Sequence, residues 1–351
     1  MSPRIVSLGV AVPPHKVSQV SLRELARNHF SLGMKALSRL ISIFDNVQVK
    51  QRHFCVSLDW FTDPHTFEDR NSLYNQWAED LAADAILRCL GNLDINPSSV
   101  DHLIFVSTSG FSTPSIDARL INRLGFDSHV SRTPIFGLGC AGGAAGLARS
   151  YQLARSYPNE LVLLVAVEIS SLTFQPGDFS KSNLVASALF SDGAGAVLVA
   201  GSDRIQDGPE IIDVQSTIWP KTLELMGWKF SSQGMEVIFS KSIPFVLRKL
   251  LRQNVKEFLD CNRISLSSIG HFSVHPGGAK ILESISKSLN INENKLEDSR
   301  IILERYGNMS SPTVLFILKR LLDAKKASEG DLGLVAAFGP GFSAELLLLR
   351  W

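Results

Sequence analysis

The chain has 351 residues, 45% of them hydrophobic and 20% charged, with a formal net charge of +1 at pH 7. That length supports one large domain or two of ordinary size around a substantial core, and the near-neutral balance gives no whole-protein field to draw nucleic acid or an anionic membrane. The four cysteines, Cys55, Cys89, Cys140 and Cys261, are widely spaced without a CxxC pair, so reduced thiols in a cytoplasmic protein are expected.

The apolar run after Pro3 is too short for a signal peptide and reads as a first strand, from Ile5 to Val12, closed by Pro13 and Pro14. Residues 21–40 have helical spacing, and Ser21 followed by Glu24 suggests a capping box. The piece from Asn46 to Phe54, with Lys50 and Arg52 beside His53, reads as a solvated edge. A helix is predicted over 71–90, a buried strand over 100–107 and a second helix over 116–124. The longest apolar run, Leu161 to Val167, is far shorter than a membrane span and reads as a strand ending at Glu168. Gly193 and Gly195 allow tight turning or close packing before the next strand, and Asp192-Gly193 reads most simply as a turn.

Between these lies Phe136-Gly137-Leu138-Gly139-Cys140-Ala141-Gly142-Gly143, where a short strand becomes a small-residue helix. Unpaired N–H groups and the macrodipole at a helix start favour the thiolate of Cys140, and the glycines leave room for a substrate or another backbone. Two other readings fit the same residues. A cysteine can simply be buried, as free cysteines commonly are. Gly137-x-Gly139-x-x-Gly142 also matches a dinucleotide fingerprint, but Glu168 falls well beyond the ~20-residue spacing of the acid that holds the ribose.

The polar, turn-rich stretch 201–209 divides the chain into halves, 1–204 and 210–351. The second half is predicted to contain a strand over 211–217, an amphipathic helix over 241–258, a strand over 269–274, a helix over 311–322 and two closing strands around Phe338-Gly339-Pro340-Gly341-Phe342. Alternation of strands and helices in both halves predicts a layered α/β fold with largely parallel sheets.

Among the eight histidines, His275 stands apart, because it ends a strand and is followed by Pro276-Gly277-Gly278, whose bare backbone suits a ligand. His271 and His275 are about 13 Å apart along a strand, too far to share a metal, and no metal is predicted. Asn308, before Met309-Ser310-Ser311-Pro312, is either a turn residue or an oxyanion donor.

Taken together, Gly137-x-Gly139-Cys140-Ala141-Gly142, Leu189-Phe190-Ser191-Asp192-Gly193-Ala194, His275-Pro276-Gly277-Gly278, Gly307-Asn308-Met309-Ser310-Ser311 and Phe338-Gly339-Pro340-Gly341 resemble, in order, the motifs of type III polyketide synthases, the chalcone and stilbene synthase family. Ser171-Leu172-Thr173-Phe174-Gln175-Pro176 and Met226-Gly227-Trp228 are most similar to bacterial members that make alkylpyrones. The resemblance implies a thiolase-like fold, two related α/β halves in a five-layered αβαβα core, acting as a homodimer. It implies Cys140 as nucleophile, His275 as its proton partner, and Asn308 with His275 polarising the malonyl thioester carbonyl.

By the same resemblance, Phe190 is a gatekeeper and Val237 stands where plant enzymes carry a second, aromatic one. Thr108, Ser170, Thr173 and Ser310 match cavity positions, and Thr113 a residue at the dimer interface. Of three basic residues that grip CoA phosphates in plant enzymes, Arg39 remains while Ser42 and Asn46 replace the others. Lys50 and Arg52 are the nearby substitutes, with Gly277 and Gly278 also at the CoA site. The implied reaction is decarboxylative condensation of malonyl-CoA onto an acyl-CoA starter, long and fatty because Val237 opens space, followed by closure to an alkylpyrone or alkylresorcinol. CoA thioesters are substrates and no cofactor is implied. An aromatic starter, a ketoacyl-carrier-protein synthase, a nicotinamide-dependent oxidoreductase and a non-catalytic acyl-binding scaffold are the alternatives.

Overall fold

The computed structural model describes residues 2–29, 42–175, 177–178, 180–204, 207–231 and 234–351. In the first half the strands are β1 (Arg4–Ala11), β2 (His15–Ser18), β3 (Gln51–Phe54), β4 (His102–Val106), β5 (Ser131–Ile135), β6 (Leu161–Ile169) and β7 (Asp192–Ala200). In the second they are β8 (Glu210–Ile218), β9 (Met226–Ser231), β10 (Gly234–Phe239), β11 (Ile269–Val274), β12 (Leu332–Gly339) and β13 (Ser343–Arg350).

Nine strands form one sheet in the order β11-β12-β13-β8-β1-β7-β6-β4-β5. Its halves share a pattern. In the first, β4 runs parallel to β6, which is antiparallel to β7, which is antiparallel to β1. In the second, β11 runs parallel to β12, which is antiparallel to β13, which is antiparallel to β8. The related halves are therefore visible in pairing although residue identity shows no repeat. They join at β1 and β8, where Arg4 pairs with Glu210. The expectation of largely parallel sheets is corrected: β12 and β13 close as a short hairpin, which forces antiparallel pairing.

Alternation along each strand sorts the side chains into layers. Leu103 and Phe105 face one core with the Phe67–Gly91 helix, while Ile104 and Val106 face another. Likewise Leu334 and Ala336 pack with the Ile243–Cys261 and Ala279–Leu289 helices, while Val335 and Ala337 turn the other way. That shared middle core also holds Ala144, Leu147 and Ala148 of the Gly142–Ser156 helix and Val314, Leu315 and Leu318 of the Thr313–Asp323 helix. The two half-sheets thus face each other across a central helix pair, and outer helices complete five layers. Gly143 permits the close approach of that pair, since a Cβ there would lie 2.1 Å from the Ser311 carbonyl oxygen.

Several local expectations change. The first helix begins at Gln19, and Ser18 rather than Ser21 caps it, its Oγ accepting the Ser21 N–H at 3.0 Å. The predicted run to residue 40 passes outside the described residues. The helix expected from Asn71 starts at Phe67, because Thr66 and Asp69 form a reciprocal capping box. Asp192-Gly193 is not a turn but the start of β7. The buried Asp192 carboxylate accepts the Cys55 N–H at 2.9 Å and both the N–H and hydroxyl of Ser171, at 2.7 and 2.6 Å. Among the described residues no helix is long and apolar enough to cross a membrane, and no group of three His, Cys, Asp or Glu could hold a metal ion.

Candidate active site

Cys140 sits in a 3-10 turn, Gly139–Ala141, directly before the central Gly142–Ser156 helix. His275 follows β11, its own N–H donating to the Ala336 carbonyl at 2.8 Å, and Asn308 follows the Glu297–Tyr306 helix. All three line one narrow cavity with Met226, Phe239, Gly277, Phe338 and Phe342. The thiol lies 4.0 Å from Asn308 Oδ1 and is also hydrogen-bonded by Ser310.

The polar atoms here are poorly satisfied. Of nine buried side-chain nitrogen and oxygen atoms without a partner among the described residues, three are Nδ1 and Nε2 of His275 and Nδ2 of Asn308. Buried polar groups are nearly always hydrogen-bonded, so such a concentration marks a place for substrate atoms. Asn308 Oδ1 accepts the Ser310 N–H at 2.7 Å, which fixes the amide and leaves Nδ2 as the free donor. Ser310 takes a left-handed φ of 59° to do so.

Burial penalises either charge alone: it pushes the Cys140 thiol up to about 11 and His275 down to about 3. Burial thus opposes the preference for the thiolate expected at the helix start. Two opposite charges formed together by proton transfer would offset part of that penalty. Behind the thiol, Glu168 accepts the Thr108 N–H at 2.9 Å and the Ser311 hydroxyl at 2.8 Å, and burial raises it to about 7. Thr108 Oγ1 in turn accepts the Gly139 N–H at 3.3 Å. Glu168 thus faces the interior and cannot reach a ribose. Gly139 and Gly142 abut Pro340 and Val106 side chains, so these two fingerprint glycines serve packing, while Gly137 takes a φ of 90° with open space around its Cα.

A second cavity, larger than the Cys140 cavity and partly open to solvent, is lined by Phe190, Val237, Ser170, Thr173 and a mostly aliphatic and aromatic wall that includes Leu22, Leu25, Phe44, Phe54, Phe61 and Phe174. Val237 lies here, whereas Phe239, two residues along the same strand face, walls the Cys140 cavity. Sequence reading missed Phe239 and Met226, although they are cross-strand partners in the β9–β10 hairpin. Thr113 is exposed on a surface loop.

Chalcone and stilbene synthase models match the chain along both halves, the N-terminal domain over residues 2–204 and the C-terminal domain over 210–351. The chain belongs to the chalcone and stilbene synthase family. It is a type III polyketide synthase, an acyl-transferring enzyme. A putative chalcone synthase of Bacillus subtilis is 40% identical, with 99% of this chain and 98% of that protein covered. The 1,3,6,8-tetrahydroxynaphthalene synthase of Streptomyces peucetius is 33% identical, with 99% of this chain and 93% of that protein covered. The crystal structure of the Streptomyces coelicolor tetrahydroxynaphthalene synthase superposes with a TM-score of 0.95 at 33% identity, covering 99% of each chain. The fold of this synthase is accordingly thiolase-like.

Of the expected CoA contacts, Arg52 is overturned. Arg52 is fully buried, with no surface left for a phosphate; its Nη atoms donate to Ser187, Phe190 and Gln19, while its Nε has no partner among the described residues. Lys50 is exposed and paired with Glu304. Arg39 lies outside the described residues. Gly277, at φ +47°, lines the Cys140 cavity, and Gly278 leads into the Ala279–Leu289 helix.

Proposed function

We propose that the synthase loads an aliphatic, long-chain acyl group from CoA onto Cys140, extends it with malonyl-CoA and releases an alkylpyrone or alkylresorcinol. The observation that carries this reading is the apolar lining of the cavity beside Phe190 and Val237. A methylene-rich chain gains about 0.8 kcal/mol for each CH₂ buried against such a wall.

Cys140 gives its proton to His275 and attacks the starter thioester, expelling CoA. Malonyl-CoA then loses CO₂, and the enolate oxygen accepts hydrogen bonds from His275 and from Nδ2 of Asn308, the donors left free in the cavity. The enolate carbon attacks the Cys140 thioester and lengthens the chain by two carbons. After repeated rounds, oxygen attack on the thioester gives a pyrone, and carbon–carbon closure a resorcinol. Ser170, Thr173 and Ser310 border the path of the chain. Lys50, Gly277, Gly278 and Arg39 are proposed to meet CoA.

The working form is proposed to be a cytoplasmic homodimer. Phe67, Phe111, Phe136 and Phe230 are exposed, and the Phe111 ring, two residues before Thr113, contacts the other three with centroids 5.3 to 6.2 Å apart. A cluster of exposed aromatics is a feature of association surfaces. Intact-protein mass spectrometry after mixing with acyl-CoAs tests the starter. Adducts on Cys140 that favour long aliphatic over aromatic groups support the reading, and the reverse preference contradicts it.

A further inference from the structure

The backbone from Ser187 to Phe190 ends the Lys181–Leu189 helix and carries the Phe190 ring, and a helix C-terminus leaves its last four carbonyls without intrahelical donors. Here every carbonyl from 187 to 190 has a donor from elsewhere. Arg52 Nη1 donates to Ser187 O at 2.6 Å and to Phe190 O at 3.0 Å. Gln19 Nε2 donates to Ala188 O at 3.0 Å, and the Asn308 N–H donates to Leu189 O at 2.9 Å. Arg52 Nη2 donates to Gln19 Oε1 at 3.0 Å, which locks the two side chains together.

The same segment is tied to Asn308 from its other side. The Ser191 N–H donates to the Asn308 carbonyl at 2.9 Å, and Phe190 and Asn308 form an isolated parallel bridge. Gly307 rests on the arginine stem, since a Cβ there would lie 2.8 Å from Arg52 Cγ and 3.0 Å from Leu189 O. A buried cation is costly unless its donors are satisfied, and the planar fork of Arg52 reaches two carbonyls and an amide oxygen at once.

We propose that Arg52, braced by Gln19, is the positioning residue that sets the Phe190 ring and the Asn308 amide relative to each other. Its Nη atoms are bound to protein carbonyls and Gln19, so it acts through the 187–190 backbone and not on the reacting atoms. The proposal rests on the assignment of Asn308 to malonyl-CoA decarboxylation, and the test separates the two.

The experiment compares wild type with Arg52→Lys, Gln19→Met and Asn308→Ala. It measures kcat and KM for decarboxylation of malonyl-CoA, the rate of Cys140 acylation by an acyl-CoA, and Tm. Arg52→Lys is expected to lower decarboxylation kcat about tenfold or more while KM and the acylation rate stay within about twofold, and Gln19→Met to show a smaller loss of the same kind. Loss of both steps in parallel with Tm indicates a merely structural role and overturns the proposal. Wild-type decarboxylation in the folded Arg52→Lys and Gln19→Met proteins also overturns it. If Arg52→Lys does not fold, the split in Gln19→Met decides. Wild-type decarboxylation by Asn308→Ala instead overturns the assignment of Asn308, whatever the other variants do.

Discussion

Ser311 donates its hydroxyl to Glu168 at 2.8 Å, joining the start of one central helix to the end of β6 directly behind Cys140. The carboxylate has no cation beside it, and burial holds it at about 7, above the ~4.3 of an unfolded glutamate. The native state therefore binds this proton more tightly than the unfolded chain does. The stability it contributes is full below about 4.3 and is lost as pH rises through about 7. Asp192, raised to about 6 by burial, adds a similar loss at lower pH, so pH 6 to 8 is the informative window. Glu168→Gln should flatten the fall of Tm across that window. An unchanged fall in scanning fluorimetry would show that Glu168 does not titrate there.

Cys140 and His275 lie in one buried cavity, and burial opposes ionisation of each. With His275→Gln the thiolate loses its only proton acceptor in the pair. The pH profile of iodoacetamide alkylation of Cys140 should then move to higher pH, with a rate at pH 7 at least about tenfold below wild type. Coincident profiles would separate the imidazole from activation of the thiol.

Val237 opens the larger cavity opposite Phe190. Val237→Phe should cut kcat/KM for long acyl-CoAs about tenfold relative to short ones, the scale on which hydrophobic pockets discriminate. Competition between starters reads this directly, and an unchanged length preference would remove Val237 from the starter path.

Gly143→Ala forces a Cβ against the Ser311 carbonyl, just ahead of the neighbouring central helix. Overpacking of this kind costs about 1–3 kcal/mol or more, so a lowered Tm is expected. A Tm equal to wild type would mean the two helices separate freely.

How legible this was in the sequence depended on whether a feature is local. The helix 116–124 and the strand 269–274 coincide with the segments predicted for them, because both are specified by contiguous residues of the chain. Cys140, His275 and Asn308 were recognisable through family motifs, yet spacing alone left Asn308 open to a turn role. Arg52 was misread as a solvated edge because its four-residue strand carries no sign that the end of a distant helix covers it. Asp192 was misread for the same reason: its partners, Cys55 and Ser171, come from separate parts of the chain.

The most direct test of the account is product formation from malonyl-CoA and fatty acyl-CoAs of graded length, comparing wild type with Cys140→Ala by mass spectrometry. The account predicts pyrones or resorcinols that carry the intact aliphatic starter and disappear in the variant. Products made only from aromatic starters, or products that persist in Cys140→Ala, would contradict it.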